Sequence, residues 1–190
     1  MSKDILSERK QALEDAFFKK AEKDQVDKYR EKLRVQETLE ELREISGMES
    51  DEVLGHLIEV GITAETMAAI ALVPLVHVAW SDGVLDKKER KAILEAASSK
   101  GISSDAPAHD LLIEWLDDKP GSDLFDAWAE YVGALRAHLE QEQVEELRDQ
   151  IVGFAREVAR AAGGLLGFGS VSESETKALE EIAAAFPADE

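Results

Sequence analysis

In Val78-Ala79-Trp80-Ser81-Asp82-Gly83-Val84-Leu85-Asp86-Lys87-Lys88-Glu89-Arg90, an apolar run meets Asp-Gly and restarts at an Asp followed three residues later by Glu. Asp-Gly is a turn signal. Asp-x-x-Glu marks a helix start, because the cap carboxylate accepts a backbone N–H and the Glu returns the bond. The segment therefore predicts helix, tight turn, capped helix. A second unit of the same kind lies downstream: Val158-Ala159, then Gly163-Gly164, then Ser172 with Glu175, its loop six residues longer. Both end in alanines, Ala96-Ala97 in one and Ala183 to Ala185 in the other. Two such helix pairs packed on each other make a helical bundle.

The remaining periodicity agrees. Apolar residues recur at helical spacing, β-branched runs are short, and strict alternation is absent, so an all-α chain of seven to eight helices is expected. Residues 1–46 contain neither Gly nor Pro, and 3–46 read as one long helix or two joined end to end. Ser50 or Asp51 is expected to cap a short helix ending near Gly61. Thr63 should open the most apolar helix, 64–81, with a kink at Pro74. Further helices are expected from Asp86 to Lys100, from near Ser104 to Leu116, from Ser122 or Asp123 to Leu135, from Gln141 to Ala162, and from Ser172 to a stop before Pro187. The domain reading is an N-terminal helical arm, 1–46, and a helical domain, 47–190.

Several function classes fall away on composition. The 190 residues are 44% hydrophobic and contain no cysteine, so a core is affordable while disulfides, thiolate metal sites and cysteine nucleophiles are excluded. The longest mainly apolar stretch, Met67 to Trp80, is short of the roughly 20 residues that span a bilayer. Residues 1–20 are charged throughout and carry no secretory signal, which points to the cytoplasm. Net charge is −19, and nearly all of it lies after the arm: residues 1–46 hold 11 Lys/Arg against 12 Asp/Glu, residues 47–190 hold 11 against 29. Such a surface repels nucleic acid and anionic lipid, and favours divalent cations or basic proteins. Solubility alone explains it equally well.

Two groups of residues carry candidate function. Asp82, Asp86 and Glu89 place three carboxylates around one glycine turn, the oxygen chemistry that a hard cation of the Ca²⁺ or Mg²⁺ class needs. Their spacing is not that of an EF-hand, and a turn plus a capping box accounts for all three without a metal. In the arm, Phe17-Phe18 lacks local apolar neighbours, and Val26, Tyr29 and Leu33 make a stripe. These five residues are the candidate surface for self-association or a protein partner; packing back on the domain is the alternative. The loop Gly163 to Ser172 precedes a helix but lacks a leading strand and a Gly-Lys-Ser/Thr ending, so it is not read as a phosphate loop. The histidines at 56, 77, 109 and 138 form no close pair, although His77 is near enough in sequence to approach the Asp82 turn. No nucleophile elbow or HExxH is present, and no enzyme is expected.

The pattern Ala79-Trp80-Ser81-Asp82-Gly83-Val84-Leu85-Asp86-Lys87-Lys88-Glu89-Arg90, followed by Ile93-Leu94 and Ala96-Ala97, resembles the TerB-like family of tellurite-resistance proteins. Residues Val158-Ala159 to Phe186 are similar to the second half of that fold, and the likeness covers roughly 64–186. It implies an all-helical domain of two related halves. It also implies an acidic surface that takes a divalent metal, and a role in stress-response assemblies rather than catalysis. Position by position it carries over to Asp82, Asp86 and Glu89, and to Glu175 in the second half. Ala162 and Ser172 stand where acidic partners of the second half would be. The expected function is thus a non-enzymatic interaction module with a divalent-cation site. The alternative is a structural or oligomerisation protein working through its long N-terminal helix, the acidic turn being purely structural.

Overall fold

The computed structural model describes the backbone of residues 2–162 and 171–186, with side chains for residue 20 and for residues 23–161 and 171–186. The described backbone is all-helical: α1 (Ser2–Ser46), α2 (Asp51–Glu59), α3 (Val73–Ala79), α4 (Lys87–Ser99), α5 (Pro107–Asp117), α6 (Ser122–Leu135), α7 (Gln141–Ala162) and α8 (Glu173–Ala184). Short 3₁₀ segments precede α3 (Met67–Leu72) and follow α6 (Arg136–His138). No strand occurs among the described residues. No helix among them is long and apolar enough to cross a membrane.

The chain divides into two units, Met1–Glu40 and Glu41–Glu190. The first is helix throughout its described backbone. Its described surface carries Arg30–Asp27 and Arg34–Glu31 pairs at i,i+3 spacing, worth a few tenths of a kcal/mol each at such exposed positions. The boundary falls inside α1. The last turns of that helix belong to the second unit, where Leu42 is fully buried.

In the second unit α3 is the centre. Six of its seven residues are buried, and it packs on α4, α6, α7 and α8. A helix apolar on every side is stable only when enclosed. The most extensive packing is that of α7, whose one face lies along both α3 and α4, while α8 covers α3 and α7. The helix pairs α3–α4 and α7–α8 therefore interlock, and the core between them includes Leu75, Ile93, Ala155 and Ile182, each at most 1% exposed. Around this nucleus, α2 packs on α6, where His56 Nδ1 lies 2.5 Å from Glu130 Oε2, and α5 packs on the 3₁₀ segment before α3. Lys100 sits over the Phe154 ring, 4.8 Å from its centroid, at the end of α4. Arg90 donates to the Leu116 carbonyl and pairs with Asp117, fastening α4 to the end of α5.

Two helix starts differ from expectation, both because of proline. The apolar segment is not one kinked helix from 64 to 81. Thr63 donates its N–H to Thr66 Oγ1 in a turn, the chain continues as 3₁₀ helix, and α3 proper begins with Pro74 in its first turn. There the missing N–H costs nothing, since first-turn amides have no helical partner. Likewise α5 starts at Pro107, after Ala106, rather than near Ser104. The other stops and caps are as read. Ser50 caps α2 through the Val53 N–H, and Gly101 terminates α4 at φ +83°, a conformation that costs other residues about 1–2 kcal/mol.

Candidate functional site

The Asp82 turn is built almost wholly by backbone amides and the carboxylates that accept from them. After α3, the Gly83 N–H donates to the Trp80 carbonyl at 3.0 Å with Gly83 at φ +87°. Asp82 Oδ1 accepts from the Val84 N–H at 2.9 Å. Asp86 then caps α4, its Oδ1 accepting from the Lys88 N–H at 2.7 Å, and Glu89 Oε2 accepts from the Asp86 N–H at 2.9 Å. The second half repeats the device: Ser172 Oγ accepts from the Glu175 N–H at 3.2 Å, and Glu175 Oε2 accepts from the Ser172 N–H at 2.5 Å.

The two box-closing glutamates have an environment that their spacing alone did not reveal. Glu89 is 3% exposed and Glu175 8%; among the described residues they are the only charged side chains that are buried. Asp82 and Asp86 lie outside in solvent. Burial pushes the Glu89 carboxyl up to about 7, against the pull of its bond to the Asp86 amide, and the negative charges of Glu175, Asp82 and Asp86 push it the same way. Glu89 is thus within electrostatic reach of each of the other three candidate metal residues, Asp82 and Asp86 in its own half and Glu175 in the other. Among the described residues, no three His, Asp or Glu side chains converge closely enough to hold a metal ion as they stand.

His77 does not approach this turn. Its Nε2 lies 2.9 Å from Glu181 Oε2 in α8, and its ring stacks on Phe125 with centroids 3.8 Å apart and planes 13° from parallel. The bond to His77 holds the Glu181 carboxyl below its ordinary range. No local spacing signals this contact, because the two residues lie on different helix pairs. Trp115 and Trp128 are buried in the core, and the half-buried Trp80 joins them through its indole N–H, which donates to the Trp115 carbonyl at 2.9 Å.

On α1, Val26, Tyr29 and Leu33 are exposed at 47%, 64% and 40% and present an unpartnered stripe. The side chains of Phe17 and Phe18 lie outside the described residues, as does the glycine-rich loop 163–170. No family model, no curated protein and no solved structure matches the chain.

Proposed function

We propose that this chain is a non-enzymatic, cytoplasmic helical interaction module of the TerB-like kind, in which Asp82, Asp86, Glu89 and Glu175 together take up a divalent cation of the Ca²⁺ or Mg²⁺ class. The observation that carries this reading is the placement of Glu89 and Glu175. Two buried carboxylates occupy equivalent positions in two capping boxes, and each box uses only Oε2. Burying one anion near another is costly unless a proton or a cation compensates. Near neutral pH, Glu89 is poised to exchange its proton for a metal charge. Hard oxygen donors suit Ca²⁺ and Mg²⁺ rather than softer metals. Uptake would tie the start of α4 to the start of α8 and stiffen the surface around Asp82 for a partner protein.

Calorimetry and thermal melts with Ca²⁺, Mg²⁺, Mn²⁺ and Zn²⁺ test it. The expected result is a rise in Tm with Ca²⁺ or Mg²⁺ that is larger above neutral pH, where Glu89 has lost its proton, and absent in Asp82→Asn/Glu89→Gln. No response to any of the four ions, or an unchanged response in the double variant, rejects the metal site.

A second reading is favoured by the bare stripe of α1. Val26, Tyr29 and Leu33 fall at i, i+3 and i+7, the spacing of a two-helix seam, and in this reading they join a second copy. Sedimentation of the full chain against Val26→Ser/Tyr29→Ser/Leu33→Ser decides it. A dimer lost in the variant supports self-association; a monomer in both rejects it.

A further inference from the structure

A cleft of about 280 Å³ opens between α3, the α5–α6 turn and α8, and none of Asp82, Asp86, Glu89 and Glu175 lines it. Its volume is close to the low end, about 300 Å³, of small-molecule sites. Val76, Leu124 and Ala178 supply apolar walls, and His77 and Phe125, stacked on each other, add aromatic surface to the lining. The walls are tied in place: His77 by Glu181, and the Trp80 indole by the Trp115 carbonyl.

The polar groups are few and unevenly satisfied. Lys177 Nζ lies 3.5 Å from Glu181 Oε1, so the one carboxylate in the lining is already shared between Lys177 and His77. Lys119 donates to a neutral acceptor, the Trp80 carbonyl at 2.9 Å, and has no carboxylate partner among the described residues. The Ser81 hydroxyl oxygen is buried with no hydrogen-bond partner. The helix N-termini at the rim offer nothing further: α8 is closed by its capping box, and the Asp123 carboxylate folds back over Gly121. In a chain of net charge −19, the cleft is lined by two lysines and one glutamate.

We propose that this cleft binds a small organic monocarboxylate with an apolar body. The body would lie against Phe125 and the aliphatic walls, and the carboxylate would accept from Lys119. One ammonium without an anionic partner selects a single negative charge. The strongly acidic remainder of the surface disfavours polyanions such as nucleotides. The affinity comes from local contacts in a site already in shape, not from long-range attraction.

The test is a matched series that shares one ring system: indole-3-acetate, indole-3-acetamide and tryptamine, titrated into the full chain at low salt and followed by amide NMR. The acid is expected to shift the signals of Ser81, Phe125 and Lys119. The neutral amide should bind about tenfold more weakly, the loss of one charge-assisted hydrogen bond, and the amine weakest of the three. In Lys119→Met, affinity for the acid should fall by about the same factor while affinity for the amide stays unchanged, and Lys119→Arg should restore the acid. No shifts around the cleft with any ligand, equal binding of acid and amide, preference for the amine, or an equal loss for both acid and amide in Lys119→Met overturns the proposal. The last outcome would mean that Lys119 acts only by holding the Trp80 carbonyl. None of these results depends on whether a cation binds at Glu89.

Discussion

His77 Nε2 and Glu181 Oε2 lie 2.9 Å apart, joining the one polar residue of the central helix α3 to the outer face of α8. Across the stacked Phe125 ring the contact continues to Trp128, and from Trp128 to Phe186, with ring centroids 5.3 Å and 6.0 Å apart. A polar clasp at the rim thus grades into an aromatic row through the core.

This clasp has a sign in pH. Glu181 is held below its ordinary value of 4.5 by the hydrogen bond from His77. Its contribution is therefore complete above that value and is lost as pH falls through the lower folded-state value. Glu181→Gln should lower stability at neutral pH and show a shallower loss in acid than the parent, measured by urea midpoints through the acid range. Equal acid slopes in the two proteins would contradict the assignment.

Glu89 acts in the opposite direction. Its folded-state value, about 7, lies above its ordinary 4.5, so the folded protein holds the extra proton between these limits and stability falls as pH rises across that window. Glu89→Gln keeps an oxygen for the Asp86 amide and never ionises. It should flatten the curve between these limits and be more stable than the parent above neutrality in chelated buffer. Urea midpoints on both sides of the window measure this.

Gly83 separates strain from crowding. A Cβ there would meet nothing within 4 Å, yet φ is +87°. Gly83→Ala should cost about 1–2 kcal/mol from backbone conformation alone, and Gly83→Asn less, since Asn tolerates the left-handed region. Chemical denaturation of the two variants ranks them.

The interlock of α4 with α7 rests on side chains that water does not reach. Ile93 is 0% exposed, and Ile93→Ala should cost about 2–5 kcal/mol through lost burial and the cavity left behind. Val84, 69% exposed on the neighbouring turn, should change stability by no more than about 0.5 kcal/mol when replaced by Ala. Similar costs at both positions would mean that the packing of α4 is wrongly described.

Much of this was legible in the residues. Asp86/Glu89 and Ser172/Glu175 announced their capping boxes, and Gln141 to Ala162 its helix, because these are local bonds set by short spacings. Pro74 reads from its position as a kink within a helix, and Ser104 as the start of the next one; in the fold Pro74 and Pro107 each stand in a first turn, the place where a missing N–H is harmless. The burial of Glu89 and Glu175 was not legible. A capping-box glutamate is usually half in water, and only the packing of one half on the other removes it. The His77–Glu181 bond and the cleft beside Lys119 are long-range for the same reason: they join helices whose sequences carry no mark of each other.

The shortness of α3 has a consequence for how the protein opens. Seven residues cannot sustain a helix in water, since nucleation is unfavourable and few bonds repay it. The amides of α3 can stay closed only while α4, α6, α7 and α8 enclose them. Their hydrogen exchange should therefore report the opening of the whole second unit at once, with no faster local route, and every substitution that weakens that unit should speed them by the same free energy.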